Sequence, residues 1–525
     1  MKKPVKRSSR PQKAPPKVDF VKYVGPAIFA IALILNLNYS FTGISNYLLE
    51  NHSFRQTQTA LTSYYFCKDG FKLAYETPVV GAPWAIPLEF PFYQWIVSII
   101  KNITSANLDI IGRLVSLFFF YASLFYVFKI AQRYTKSTGQ SLFILSFILL
   151  HPIYIFWSRT FMIESTALFF CMVYLFYALD YLESKKILFL LLATVAGLLA
   201  SLEKITTLIP FCIVLFALIS FRWFRNDRLN SRLWGMPNLA VQGILLFILP
   251  FIAIKLWTDF ADHLKSLNHY AYAFTSSKNL NRWNFGTVGQ KISLKTWQQI
   301  FEHSHVSSAF FYLLILATIV WSVVAKHKYW KESVVCLGLY LSAPLIFTNL
   351  HYIHDYYTYS NSFMLSATVG FSCLSLLETK GTFIKVIGVV IAACVLLFFT
   401  ERYKESYYKV QVRHPNYAIP TSNLVKETTK PDEVIMVYGN DWGSEYAYYT
   451  ERRTIALRNT FKSVKDTSFV ELMKQNKEYS ITTLVFVSYT GLFDKNFLNE
   501  LIPYLGFKPI LQQEPFWVFQ KEKTK

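Results

Sequence analysis

The stretch "NHSFRQTQTALTSYYF", residues 51–66, directly follows an apolar segment that is long enough to cross a membrane. It places one His, one Arg and two Gln within seven residues. At helical spacing His52, Arg55, Gln56 and Thr59 share one face, and none of them is a carboxylate. The pattern therefore predicts a membrane protein with a polar, cationic helix just outside its first span.

Composition supports this assignment. The chain has 525 residues, of which 53% are hydrophobic and only 16% are charged, whereas soluble domains average about 25% charged residues. The net charge of +21 lies in the N-terminal tail and in short loops, as the positive-inside rule describes, which argues against nucleic acid as a partner. The six cysteines show no CxxC or Cys/His ligand spacing, so neither a disulfide framework nor a structural zinc site is predicted.

Segments that satisfy the length of a membrane span number about eleven. They lie near residues 21–43, 108–130, 139–157, 162–182, 187–202, 205–221, 237–257, 307–325, 333–350, 361–378 and 382–400. With this count every basic connection falls on the side of the basic tail 1–20, which predicts a cytoplasmic N-terminus and an external C-terminus. The least certain pair is 187–221, where two short spans share a turn at Glu203 and Lys204.

The expected fold is thus mainly α, a polytopic membrane domain over residues 21–400 with outer loops 44–107 and 258–306. Residues 401–525 return to soluble composition and form a small extracytoplasmic α/β domain. Its predicted strands are "DEVIMVYG", "ITTLVFVSY" and "PFWVFQK", and "DTSFVELMKQNKE" is its predicted helix. In the first loop, "PFYQWIVSII" is typical of a short helix at the membrane interface.

Carboxylates near the predicted outer face are candidates for acid–base chemistry. Glu89 lies between prolines in "PLEFPFYQW", where it serves as a general base, a cation ligand or simply a solvated acid. Arg159 and Glu164, in "FWSRTFMIEST", lie close to hydrocarbon, so they face a cavity or pair with each other.

Histidines and cations form the second group of candidates. His354 and Asp355, in "NLHYIHDYYTYSN", orient a base or hold a divalent cation, unless they are ordinary residues of an aromatic belt. Lys204 and Arg113 are placed to bind a lipid phosphate or to extend to the headgroups. Together the motifs suit a lipid phosphate whose polar group reacts outside the membrane.

These motifs also resemble a known family. "HSFRQTQTA", "EFPFYQWIVSII" with "GRLVSLFF", "SRTFMIESTALFF" and "HDYY" occur in the order found in GT-C glycosyltransferases, in the branch of protein O-mannosyltransferases and the lipid A aminoarabinose transferase. The resemblance covers roughly residues 20–400. It implies transfer of a sugar, with inversion, from a polyprenyl-phosphate-linked donor to a lipid, glycan or protein acceptor at the outer face of a bacterial plasma membrane.

One position departs from the family pattern, because Gln58 stands where the related motif has Asp, and an amide cannot take a proton. The base is then Glu164, with Glu89 as second choice, or His52, or the protein is inactive. The resemblance implies that Arg55, Gln56 and Gln58 position acceptor or sugar. It implies further substrate-binding roles for the remaining candidates, namely Arg113, Arg159, Lys204, His354 and Asp355.

Two other classes remain open. A lipid-linked glycan polymerase or ligase would use the same kind of lipid with an oligosaccharide donor. A non-catalytic scaffold would need no base, and Gln58 favours that alternative. A transporter often carries internal repeats, and none is found in this sequence.

Overall fold

The computed structural model describes residues 20–224, 236–306 and 308–521. The predicted tail, apart from residue 20, and the basic loop at 225–235 lie outside these ranges. The first eight helices are α1 (Phe20–Phe41), α2 (Ser53–Asp69), α3 (Phe92–Thr104), α4 (Leu108–Thr135), α5 (Thr138–Leu150), α6 (Pro152–Trp157), α7 (Glu164–Ser184) and α8 (Ile187–Phe224).

The next helices lead up to the C-terminal domain. They are α9 (Met236–Gly243) and α10 (Leu249–Ser266), joined by a π-helical turn, then α11 (Asn281–Phe285), α12 (Val288–Ile292), α13 (Leu294–His303), α14 (Ala309–Val324), α15 (Trp330–Ile346), α16 (Thr348–Ile353), α17 (Ser362–Leu377) and α18 (Thr382–Tyr403). A second π-helical turn leads into α19 (Lys409–Arg413).

Every segment predicted as a span is mainly helical, although 139–157 and 333–350 are each divided between two helices, and the number of spans stays a prediction. Among the described residues, six helices are long and apolar enough to cross a membrane. They are Val21–Phe41, Leu108–Thr135, Glu164–Ser184, Ile187–Ser220, Asn238–Ser266 and Thr382–Arg413. The other predicted spans fall on shorter helices.

Helix α8 folds back on itself at Lys204, whose φ of −162° and ψ of 93° are not helical. Gly197, before this residue, lies against the Tyr174 ring, where an added Cβ would be 3.0 Å from the ring. Cys212, after it, lies 3.9 Å from the Tyr174 hydroxyl. In a straight helix these two residues would be about 22 Å apart. The chain therefore reverses at Lys204, where the sequence predicts a turn.

The C-terminal domain is a five-stranded sheet of order β2-β1-β3-β5-β4, in which β1, β2 and β3 are parallel and β5 pairs antiparallel with β3. Its elements are α20 (Ile419–Thr428), β1 (Val434–Tyr438), α21 (Glu445–Thr450), β2 (Arg453–Leu457), α22 (Thr467–Gln475), β3 (Ile481–Val487), α23 (Lys495–Leu505), β4 (Phe507–Gln513) and β5 (Phe516–Lys521). The predicted strands coincide with β1, β3 and β5, and the predicted helix with α22.

The first loop pairs with an edge of this sheet. The Thr454 amide donates to the Pro78 carbonyl at 3.0 Å, and the Ala456 amide donates to the Val79 carbonyl at 2.8 Å. The Ser53 hydroxyl also donates to the Glu445 carboxylate, at 2.6 Å. The domain thus fixes both the loop and the start of α2, the helix that carries Arg55.

Candidate active site at the start of the first loop helix and the turn of helix α8

Arg55 lies in the first turns of α2 and is held by two acceptors. Its guanidinium donates to the Gln58 side-chain oxygen, one turn later on the helix, and to a carboxylate oxygen of Glu89. Gln58 therefore acts as a neutral acceptor that orients the arginine. The rigid, proline-flanked segment around Glu89 brings its carboxylate to the same point.

A second ion pair joins the turn of α8 to the first residue of α7. The Lys204 ammonium lies 2.5 Å from Oε1 of Glu164, and it also lies over the rings of Tyr357 and Tyr356, at 4.3 and 5.3 Å from their centroids. A cation at an aromatic face gains additional electrostatic attraction. The other Glu164 oxygen, Oε2, is buried and accepts no hydrogen bond among the described residues.

The charge of Glu164, in one ion pair, acts on Arg55, in the other. Burial lowers the pKa of the Arg55 guanidinium, but Glu89, Tyr356 and Glu164 outweigh burial and raise it above its ordinary value. The fold thus forms two ion pairs from two cations and two acids that the sequence singled out as site residues. They come from α2, the first loop, α7 and α8. We refer to Arg55, Glu89, Glu164 and Lys204 as the ion-pair cluster.

Glu203 extends the acidic side of this cluster. Its side chain is 1% exposed, and both of its carboxylate oxygens lack a hydrogen-bond partner among the described residues. The sequence pattern indicated Glu203 only as part of a turn. The available signal was an acid in the middle of an apolar stretch, which is costly unless it has a function.

His52 and Asp355 meet on the neighbouring side. Nε2 of His52 lies 3.0 Å from Oδ1 of Asp355. The second oxygen of Asp355 accepts from Tyr407 at 2.7 Å and lies 3.0 Å from Nε2 of His305. Burial alone would raise the Asp355 pKa, but the hydrogen bonds from His305 and His52 lower it well below its usual range. The sequence did not indicate His305 or Tyr407, because they come from distant loops and helices.

His354 packs between these groups as a neutral aromatic ring. Its centroid lies 5.1 Å from that of His52 and 5.2 Å from that of Tyr356, stacked on the latter at 17°. Burial, reinforced by His52, lowers the His354 pKa to about 3. Its position next to Tyr356 makes it part of the wall of the ion-pair cluster.

Three predicted substrate-binding residues lie elsewhere. Arg113 and Arg159 are completely buried and converge on the Glu50 carboxylate, at 3.2 and 2.8 Å. Their remaining terminal NH groups bind loop carbonyls, such as that of Gly43, so neither guanidinium reaches the ion-pair cluster. Gln56 likewise bridges backbone groups, since it donates to the Asn51 carbonyl at 3.0 Å.

Glu50 was missed in the sequence, although two arginines next to hydrocarbon require a counter-charge. Burial alone would raise the Glu50 pKa, but Arg159 and Arg113 lower it below its usual value. We refer to Glu50, Arg113 and Arg159 as the triad. The contacts of the triad assign the two arginines to stabilising the first loop rather than to binding substrate.

Metal binding receives no geometric support here. Over residues 20–224, 236–306 and 308–521, no group of three or more His, Cys, Asp or Glu side chains is placed to hold a metal ion.

Comparison with solved structures identifies membrane enzymes of similar fold. ArnT from Cupriavidus metallidurans bound to undecaprenyl phosphate matches with a TM-score of 0.57 and 10% identity, over 96% of this chain and 99% of that one. Its apo state matches with a TM-score of 0.59 and 10% identity, over 94% and 98%. The Archaeoglobus fulgidus oligosaccharyltransferase, in complex with zinc and sulfate, matches with a TM-score of 0.54 and 11% identity, over 94% and 73%. No protein-family model and no curated protein matches the sequence.

Proposed function

We propose that this chain, which has the fold of the GT-C membrane glycosyltransferases, transfers a sugar from a polyprenyl-phosphate-linked donor to an acceptor. The observation that carries the proposal is the ion-pair cluster, in which two cations pair with two carboxylates contributed by α2, the first loop, α7 and the turn of α8. We further place the cluster at the outer face of a bacterial plasma membrane, with a cytoplasmic N-terminus and an extracytoplasmic C-terminal domain.

Lys204 and Arg55 are the phosphate-binding groups in this proposal. Negative charge grows on the phosphate oxygen as its bond to C1 of the sugar breaks, and fixed cations stabilise that charge most strongly in the transition state. In the free protein their charges are balanced by Glu164 and Glu89. Donor phosphate then takes over part of this pairing.

Glu164 is the proposed general base. Its Oε1 is held by Lys204, while its Oε2 accepts no hydrogen bond from the residues that the structure describes and can accept a proton. The acceptor hydroxyl or amine transfers its proton to Glu164 as its oxygen or nitrogen bonds to C1. The C1–O bond breaks at the same time, and polyprenyl phosphate leaves with the bonding electron pair. Gln58 keeps Arg55 in place and takes no proton.

His52 is proposed to position the acceptor. Asp355, held by His305 and Tyr407, fixes His52 through Nε2 and leaves Nδ1 available for an acceptor hydrogen bond. The rings of His354 and Tyr356 stack on each other and meet His52 edge to face. Together with them, His52 offers the mixed aromatic and polar surface that a sugar or another polar acceptor requires.

The test uses the purified full chain in detergent and a panel of synthetic polyprenyl-phosphate monosaccharides and polyprenyl-pyrophosphate oligosaccharides. Mass spectrometry follows the release of polyprenyl phosphate or pyrophosphate. We expect release from a monosaccharide donor, lost in Glu164→Gln. Release only from oligosaccharide pyrophosphates would instead indicate a polymerase or ligase. No release from any donor, in protein shown to bind polyprenyl phosphate, would favour a transporter or scaffold.

A further inference from the structure

A cavity lies on the other side of α2 from the ion-pair cluster. It has a volume of about 550 Å³ and is bounded by α2, the end of α3, the start of α4 and helices α20 and α21 of the C-terminal domain. Tyr64, which lines it, follows Arg55 by nine residues, so the two side chains leave α2 about half a turn apart. The helix itself therefore separates this cavity, which we call the loop–domain cavity, from the proposed active site.

Three lysines and two acids line the loop–domain cavity. Lys101 donates only to the carbonyls of Ser105 and Ala106, at 3.3 and 2.8 Å. Lys68 lies 5.6 Å from the centre of the Tyr65 ring. Within the parts of the chain that the structure describes, neither lysine forms an ion pair.

The acids of the cavity are already engaged. Glu451 pairs with the third lysine, Lys426, at 2.7 Å. Asp109 is buried and accepts hydrogen bonds from Tyr448 and Tyr449, at 2.5 and 3.2 Å. The cavity thus has one more lysine than it has acids, and the two lysines without an ion pair suit an anion with several oxygen acceptors.

The loop–domain cavity lies at the level expected for lipid headgroups. Leu108 and Asp109, which line the cavity, are the first residues of a helix long and apolar enough to cross the membrane. The neighbouring helix α3 exposes Trp95, Ile99 and Ile103, at 40%, 40% and 77%, on one face. Such a stripe is typical of a helix that lies in the membrane interface. The volume is also within the range of ordinary ligand pockets, about 300–1,000 Å³.

We propose that the loop–domain cavity binds the phosphate-bearing headgroup of a membrane lipid, with Lys68 and Lys101 contacting the phosphate. This site is separate from the proposed donor site and does not depend on transferase activity. A lipid bound there would contact both the first loop and the C-terminal domain, and would therefore strengthen the connection between them.

The experiment measures lipid binding by native mass spectrometry of the full chain in detergent. The probes are dioleoyl phosphatidylglycerol, dioleoylglycerol with the same chains and no phosphate, and inorganic phosphate as competitor. We expect saturable binding of phosphatidylglycerol, weakened about fivefold by Lys68→Gln and again by Lys101→Gln, which is the scale of one lysine at a lipid surface. Lys72→Gln, an exposed lysine outside the cavity, is the matched control and should bind as the wild type does.

A change of opposite sign provides a second readout. Glu451→Gln removes a negative charge from the cavity and frees Lys426, so phosphatidylglycerol should bind more tightly. Equal binding of dioleoylglycerol, or unchanged affinity in both Lys68→Gln and Lys101→Gln, would overturn the proposal. Displacement of the lipid by millimolar inorganic phosphate would identify free phosphate as the ligand and overturn the lipid assignment. Glu164→Gln should leave this binding unchanged even if transferase activity is absent.

Discussion

The ammonium of Lys204 lies 2.5 Å from the Glu164 carboxylate, although the two residues are separated by 40 positions and belong to different helices. The contact exists because α8 reverses direction at Lys204, level with the first residue of α7. A backbone that leaves helical geometry there presents the lysine side chain to the start of the neighbouring helix. The turn of α8 thus assembles the ion-pair cluster.

Replacing Glu164 with Gln is the most direct test of this arrangement. Gln preserves an oxygen that accepts from Lys204 but cannot take a proton. We expect kcat to fall by about 10²–10⁴, the usual contribution of a general base, with a donor KM within a few-fold of wild type. Glu183→Gln, on the same helix with a side chain that is 55% exposed, is the control. Wild-type turnover in Glu164→Gln would remove Glu164 from the mechanism.

Lys204 is predicted to act on donor binding. Charged hydrogen bonds contribute about 1.5–3 kcal/mol, so Lys204→Gln should raise the donor KM at least about tenfold, and kcat should also fall because the cation stabilises the charge that grows on the leaving phosphate. Lys204→Arg keeps the charge but replaces a compact ammonium with a planar fork, so an intermediate effect is expected. Lys255→Gln, whose side chain is 67% exposed, should match wild type. Equal donor KM in Lys204→Gln and Lys255→Gln would contradict a phosphate-binding role.

The sequence predicts local features of this protein well, because they depend on local patterns. Apolar length predicts the helices, and β-branched runs predict β1, β3 and β5. Strand β2 was missed because charged residues flank it on both sides, and β4 was missed because most of its side chains are exposed. Neither strand has a strong hydrophobic signal.

The roles of the site residues stay predictions, and what the structure adds is the set of contacts that distant parts of the chain impose on each residue. Arg55 and Lys204 each pair with an acid that the sequence also singled out, Glu89 and Glu164 respectively. Arg113 and Arg159 have equally suitable local patterns, yet Glu50, 63 and 109 positions away, occupies both guanidinium groups. Only the three-dimensional fold reveals that pairing.

Glu50 should therefore be essential to stability. Removing one partner of a buried ion pair leaves uncompensated charge and costs about 3–5 kcal/mol. We expect Glu50→Gln to lower the thermal midpoint by several degrees in detergent. Glu401→Gln, in an ion pair whose acid is 63% exposed, should change stability by less than about 1 kcal/mol. If both variants melt at the wild-type temperature, the triad does not stabilise the loop.

The pH dependence of the same variant gives an independent check. Because the Glu50 pKa is lowered in the folded state, its contribution is present above its unfolded value of about 4.5 and is lost as pH falls through the folded pKa. Glu50→Gln should consequently show a shallower loss of stability below pH 4.5 than the wild type. An identical acid limb in both proteins would contradict this assignment.

His354 affects stability at a higher pH than Glu50 does. The lowered pKa of His354 decides whether stability rises or falls as the solution becomes more acidic. The folded protein keeps His354 neutral down to a pKa of about 3, whereas the unfolded chain takes up a proton near pH 6.5. The unfolded state then binds more protons, so stability falls between pH 6.5 and 3, by at most about 1.4 kcal/mol per pH unit for one group.

His354→Gln removes this proton uptake and should flatten the decline of the thermal midpoint between pH 7 and 4, whatever its effect at pH 7 itself. The exposed His263, replaced by Gln, serves as the matched control and should leave the slope unchanged. Because Gln cannot stack as His does on Tyr356, some loss of stability at pH 7 is expected and is distinct from the slope. A decline in His354→Gln as steep as in wild type would mean that His354 is protonated in the folded protein, and that the neutral aromatic wall beside His52 does not exist as described.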